Sequence, residues 1–305
     1  MKKSKNSIAK IFVSWFSVFG LRFLLVIVRI LPEKLIYALG RSLSRLYYKL
    51  AHKNRKLALR NLRIALGKQL TKAQIIKIAK QSFNTMGLII LDTIRFKDLT
   101  KDRVRSLIKI EGVENLEQAF QKGKGVIAAS AHLGSFTLIG ARLAIDGYKA
   151  AFVARHARNK GIEKLIMSFC RQVGQKIVFN QPVVTCMRRC MKLLSRNELL
   201  VIEMDQNFGT EGQAVSFFNH PAMVATGPIK LAMSTQAAIV PIFIIHNKNQ
   251  TRTIRIEPEI ILQNTQDQNK DIKDNLQKII NIVEKYIRNY PGQWVNWIHK
   301  RWEVR

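Results

Sequence analysis

From about residue 108 onward the chain alternates short apolar runs with segments of helical period, and that alternation limits the fold more than any other feature. GKGVIAASAH (123–132), YKAAFVARH (148–156), IVFN (177–180) and LLVIEMD (199–205) each read as a strand, the first and last of them as buried ones. Between them GSFTLIGARLAIDG, residues 159–174 and TCMRRCMKLLSRN read as helices. GPIKLAMSTQ continues as a helix, AAIVPIFIIHN and TRTIRIEPEI as adjacent strands, and KDIKDNLQKIINIVEKYIRNYP as a closing helix. The expected class is α/β, with a helix-covered, largely parallel sheet. Residues 33–105 read as a helical part and 106–305 as the sheet-containing part of one domain. Thr71 stands where an N-cap would open TKAQIIKIAKQSFNTMGLIILDTI.

The amino terminus has another character. MKKSKNSIAK is basic, and an apolar run from Ile11 to Leu31 follows, interrupted by Arg22 and Arg29. No small-residue cleavage site closes it, which argues against a signal peptide. An arginine near its middle disfavours a plain span, and a helix lying in the interface with its arginines snorkelling fits better. Residues 1–32 are therefore expected to anchor the chain to a membrane. The alternative is a buried first helix of the core.

Charge narrows the partners. Lys and Arg number 51 against 20 acidic residues, a formal charge of +31 that folding does not need. Nucleic acid, an anionic membrane face and phosphorylated substrates all answer it. The run Lys53, Arg55, Lys56, Arg60, Arg63 fits either a solvated face or a phosphate contact. Cys170, Cys186 and Cys190 make no disulfide framework, and a reducing compartment suits them. No histidine lies at metal-ligand spacing, GKGKG lacks the P-loop pattern, and no G-x-S-x-G elbow occurs. No nucleic-acid module signature is visible beyond the charge itself.

Candidate chemistry sits at strand ends. His132 ends one buried strand before a Gly turn, where open α/β sheets place their sites, and an imidazole there can take a hydroxyl proton. The alternative is a strand-capping histidine. Asp205 ends another strand, followed by Gln206 and Asn207, and belongs near His132 if those strands are neighbours. Ordinary turn chemistry accounts for DQNFG equally well. Arg155 and Arg158, at the end of a third strand, suit a bidentate grip on phosphate or carboxylate, or a solvated loop. In the tail, Trp294, Trp297 and Trp302 fit a membrane interface or a packed terminal helix.

Taken in order, these segments resemble the lipid A biosynthesis acyltransferase family, relatives of the glycerolipid acyltransferases. The resemblance runs through NRKLALRNLRIALG, SAHLGSF, VARHARNKGIEKLI, DQNFGTEGQAVSFFNHPAMVATGPIKLA and YPGQWVNWIHKRW. It implies a sheet of the glycerolipid-acyltransferase type and acyl transfer to a hydroxyl of a lipid A precursor or related anionic glycolipid or phospholipid. The donor would be an acyl carrier protein or acyl-CoA, with no other cofactor and no metal. It also implies a place on the cytoplasmic face of the inner membrane, with no nucleic acid as partner. His132 matches the general base of the family's H-x-x-x-x-D/E motif, and Arg155, Arg158, Asn159 and Gln206 would contact substrate. The acid position, however, is Thr137. Either Asp205 substitutes as the orienting acid, or His132 works alone with Thr137 or a backbone carbonyl bonded to it, or the chain is an inactive, lipid-binding relative.

Overall fold

A computed structural model of the chain describes residues 20, 28, 30–96, 98–157 and 159–302. The apolar run of residues 11–31 lies almost wholly outside the described residues, as does Arg158. Among the described residues no helix is long and apolar enough to cross a membrane.

Ahead of the sheet lie the helices α1 (Glu33–Leu50), α2 (His52–Leu66), α3 (Lys72–Phe96) and α4 (Lys101–Leu107). Gly40 and Gly87 let α1 and α3 approach closely: a Cβ on Gly40 would strike the Leu91 side chain, and one on Gly87 would strike Ser44. Helix α2 buries Ala58, Asn61, Leu62 and Leu66 and turns Lys53, Lys56, Arg60 and Arg63 outward. Thr71 opens α3, and Gln74 accepts from its backbone N–H while donating its own to the Thr71 hydroxyl.

The rest alternates as the sequence pattern requires. The elements are β1 (Ile108–Glu111), α5 (Val113–Gln121), β2 (Val126–Ser130), α6 (Ile139–Ile145), β3 (Ala150–Ala154), α7 (Lys160–Gln172), β4 (Lys176–Phe179), α8 (Val183–Leu194) and β5 (Leu199–Glu203). There follow β6 (Gln213–Phe217), β7 (His220–Val224), α9 (Gly227–Thr235), β8 (Ala238–His246), β9 (Arg252–Ile256) and α10 (Gln268–Asn289). The sheet order is β1-β9-β8-β2-β5-β3-β4. Every adjacent pair is parallel except β8 with β9, where a short turn reverses the chain, so β9 and β1 run against the other five strands. A short connection permits only antiparallel neighbours, which is why the pair joined by a turn breaks the parallel rule while β3 and β4, joined through α7, keep it. DQNFGTEGQAVSFFNHPAMV, read above only as turn and motif, contains a separate antiparallel hairpin, β6–β7.

Side chains alternate to opposite faces of the sheet. Ile127, Ala129, Leu200 and Val178 meet α2, α3, α8 and α10 on one face, and Val126, Ala128, Leu199 and Val201 meet α5 and α6 on the other. The tail joins the first of these cores. Trp294 and Trp297 are wholly buried, Trp294 between two 3-10 turns (Pro291–Gln293 and Val295–Ile298) and Trp297 in the second of them, rather than in one terminal helix. That overturns the membrane-interface reading for both rings: they pack edge-to-face with centroids 4.5 Å apart, and Phe217 packs on Trp294.

Candidate active site

Strand pairing creates the site. In the parallel ladder of β2 and β5, Ser130 lies opposite Glu203, and the Met204 N–H continues the ladder to the Ser130 carbonyl at 2.8 Å. Two residues further along each chain come His132 and Asp205. His132 Nδ1 lies 2.7 Å from Asp205 Oδ1. A carboxylate only accepts, so Nδ1 carries the hydrogen and Nε2 keeps its lone pair. Gln206 sets its amide nitrogen 3.1 Å from Nε2, and the Phe136 ring lies 4.6 Å from the imidazole.

Asp205 is fully buried and heavily bonded. Its Oδ2 accepts from the His132 N–H at 3.1 Å, from Trp294 Nε1 at 2.6 Å and from Asn296 Nδ2 at 2.9 Å. Burial by itself raises a carboxyl's pKa. Here the neighbouring imidazole and these donors outweigh it and hold Asp205 down at about 2. Burial depresses His132, but the Asp205 charge and hydrogen bond overcome it, and its pKa is raised above the usual histidine value.

The loop after His132 is clamped by the tail. Val295 N–H donates to the His132 carbonyl at 3.1 Å, and Gly134 N–H to the Gln293 carbonyl at 3.0 Å. Gly134 has φ +53°, and a Cβ there would strike the Ile244 carbonyl, so glycine is needed at this approach. Arg301, also buried, donates to the Gln206 and Met223 carbonyls and ties the loop after β5 to the hairpin.

His132 opens onto a cavity of about 700 Å³ with mostly apolar walls, among them Phe152, Ile166, Phe169, Ile177, Met187, Ile202 and Leu231. Such a cavity with a few converging polar groups is the usual form of a small-ligand site. Arg155 stands exposed on its rim and Gln206 in its wall. Asn159 instead caps α7, its side chain accepting from Gly161 and Ile162 N–H, and it is not among the cavity-lining residues. An Asx residue just before a helical run satisfies the helix's own free N–H groups. Thr137 lines the cavity and its hydroxyl pairs with Thr93 Oγ1 at 2.7 Å, while the imidazole Nδ1 is held by Asp205 and not by Thr137. Cys186 and Cys190 line the wall with sulfurs 3.9 Å apart, and no group of three metal-ligating side chains occurs among the described residues.

Three residues of the site were not singled out from the sequence as site residues. Trp294 and Asn296 complete the Asp205 bonds, and Glu203 lines the cavity with its carboxyl pushed up to about 7 by burial. The tail pattern carried a signal for the first two, since an indole N–H that must be buried needs an acceptor. Nothing local marked Glu203 apart from a charged residue ending an apolar run.

The model of the bacterial lipid A biosynthesis acyltransferase family matches residues 1–304. The chain belongs to this family. Its lipid A acyltransferase relatives are distant. A lipid A biosynthesis palmitoleoyltransferase of Escherichia coli K12 is 23% identical over 294 residues, 95% of this chain and 92% of the relative. A lipid A biosynthesis lauroyltransferase of the same organism is 23% identical over 296 residues, with the same coverage. A phosphatidylinositol mannoside acyltransferase of Mycobacterium tuberculosis is 26% identical over 157 residues, 50% of this chain and 47% of the relative. This family member is thus an O-acyltransferase in class. Its site departs at Thr137, and the carboxylate beside the histidine comes from the end of β5.

Proposed function

We propose that the protein transfers an acyl chain from a thioester donor, an acyl carrier protein or acyl-CoA, to a hydroxyl of a lipid A precursor or related anionic glycolipid. One observation carries the reading: an imidazole held through Nδ1 by a buried carboxylate presents Nε2 to an apolar cavity. In this reading the acceptor hydroxyl displaces the Gln206 amide from Nε2, and Nε2 takes the hydroxyl proton as the oxygen attacks the thioester carbonyl. The tetrahedral adduct then collapses, the carbon–sulfur bond breaks, and the leaving sulfur takes the proton back from the imidazolium. Asp205 fixes the tautomer and stabilises the imidazolium. The apolar walls receive the acyl chain, and Arg155 at the rim meets acceptor phosphate or carboxylate. An inactive, lipid-binding role was motivated by Thr137, and the Asp205 contact supplies the orienting acid whose loss suggested it.

Membrane association belongs to the same reading. Helix α1 exposes Leu35, Leu39, Leu43, Leu46 and Leu50 at helical spacing, with exposed Lys34, Arg41, Arg45 and Lys49 among them. An apolar stripe flanked by cations suits an anionic bilayer surface, on the cytoplasmic face of the inner membrane.

The test is acyl transfer by wild type and His132→Ala over one panel of thioester donors and glycolipid acceptors. Wild-type turnover that His132→Ala abolishes supports the reading. Retained turnover in His132→Ala would remove His132 as base, and equal silence of both proteins would favour the binding role.

A further inference from the structure

Attack on a thioester puts negative charge on its carbonyl oxygen, and that oxygen needs a hydrogen-bond donor in a cavity whose walls are mostly apolar. Backbone N–H groups beside the base are a common source of one. Here three of them in succession are already spent. His132 N–H donates to Asp205 Oδ2 at 3.1 Å, Leu133 N–H to the Ala131 carbonyl at 2.6 Å and Gly134 N–H to the Gln293 carbonyl at 3.0 Å. They orient the base and its loop, and none of the three is left for substrate.

The Gln206 side chain is a donor in the right place. Its amide nitrogen lies 3.1 Å from His132 Nε2, and the residue lines the cavity. With the hydrogen on Nδ1, Nε2 can only accept, so the half of the amide that faces it is the NH2 and not the carbonyl. The Gln206 backbone is fixed by the buried Arg301, which donates to its carbonyl at 3.2 Å and to the Met223 carbonyl at 2.8 Å. When a hydroxyl takes the amide's place at Nε2, only the side chain has to turn. We propose that the Gln206 amide, displaced from the base by the acceptor hydroxyl, is the oxyanion donor of the reaction. The inference rests on the acyl-transfer reading. As the hydroxyl oxygen bonds to the thioester carbon and its proton passes to Nε2, the carbonyl π pair moves onto the carbonyl oxygen. The attacking oxygen and the oxyanion then share one carbon, so the oxyanion forms beside the position the amide has just left. There the amide N–H groups donate to it. The pair returns to the carbonyl as the carbon–sulfur bond breaks, and the amide is free to cover Nε2 again.

The experiment measures kcat and KM in wild type, Gln206→Leu and Gln206→Asn. Alongside, it measures binding of a long-chain alkylphosphonate monoester, a stable anionic mimic of the tetrahedral adduct, and of a fatty alcohol of equal length. Gln206→Leu leaves the Arg301 clamp on the backbone untouched. It should lower kcat by about 10²–10³-fold with KM for the thioester almost unchanged, the pattern of an interaction made only in the transition state. Gln206→Asn, which keeps the amide one methylene short, should retain more activity than Gln206→Leu. The phosphonate should bind Gln206→Leu about tenfold or more weakly than wild type, and the fatty alcohol equally well. A purely structural role for Gln206 would not separate the two ligands. A kcat that holds or rises in Gln206→Leu overturns the proposal and makes the amide a mere cover over Nε2, and so does a loss that falls on KM alone. If wild type transfers no chain at all, the acyl-transfer reading fails first. The ligand pair then still decides whether the amide grips a tetrahedral anion. A preference for the phosphonate that Gln206→Leu abolishes sustains that grip, and equal weakening of both ligands, or of neither, overturns it.

Discussion

Two histidines end neighbouring parallel strands of this sheet, and their surroundings drive them in opposite directions. His132 follows β2 and His246 ends β8, and their side chains are almost equally hidden, 17% and 13% exposed. Burial depresses both. At His132 a carboxylate to which no arginine or lysine is bonded among the described residues outweighs burial and raises the pKa. At His246 the nearby carboxylate, Asp92, is already engaged by Arg252, by the Tyr37 hydroxyl at 2.7 Å and by the Ser135 hydroxyl. Burial and the Arg252 charge then prevail, and His246 falls to about 4. Ser135 Oγ lies 2.8 Å from His246 Nε2, so serine, histidine and aspartate stand together there. The order is wrong for a nucleophile triad, because Asp92 bonds the serine and not the imidazole's other nitrogen. A carboxylate makes a base of a neighbouring histidine only while its charge is not already spent on a cation.

The sharpest way to break this contrast is Asp205→Asn. The asparagine oxygen would turn to Trp294 and Asn296, and its NH2 would face Nδ1, forcing the proton onto Nε2. kcat should fall by about 10³–10⁴-fold. In wild type the base must be neutral, so kcat/KM should decline as pH drops through a value above 6.5, the usual histidine position. Any residual activity of Asp205→Asn should show that limb at lower pH. If the variant unfolds more readily yet keeps kcat, Asp205 is a structural anchor like Asp92.

His246→Asn should act on stability instead. Its folded pKa lies below the unfolded one, so the unfolded chain binds more protons, and stability is lost as pH falls from about 6.5 toward about 4. That loss amounts to about 3 kcal/mol for this group, and denaturant titrations at several pH values should find it missing from the variant. At neutral pH the substitution should cost about 1–3 kcal/mol through the Ser135 bond, with little effect on kcat. A collapse of kcat in a folded His246→Asn protein would make the second cluster part of the chemistry.

The smallest effect belongs to Thr137→Glu. Restoring the family's acid position should not raise turnover, because Asp205 already occupies Nδ1. Losing the Thr93 bond should cost about 1 kcal/mol in thermal unfolding. A clear gain in kcat would show that the imidazole is held less firmly than its bond to Asp205 implies.

Much of this was legible in the chain. Local periodicity marked the strands, and the Gly turn after SAH marked His132 as a strand-end residue. A helix cap and a ligand-binding amide look alike in sequence, and the structure shows the cap at Asn159. The tail tryptophans stood equally for a membrane interface and for packing, since an amphipathic ring suits both. Glu203 and the Asp92 cluster left no local trace, because their character depends on what is packed against them.

The alternation of strands with helices, and the strand-end places of His132, Arg155 and Asp205, are written locally, because side-chain period and apolar content act over a few residues. That β2 lies beside β5 emerges only when the whole sheet assembles. That pairing brings His132 within 2.7 Å of a carboxylate 73 residues away. Tertiary structure also decided that residues 293–296 return to clamp the loop, and that Thr137 turns to Thr93. Strand order and register are chosen by which pairing buries both faces of the whole sheet at once, and no local stretch of sequence carries that choice.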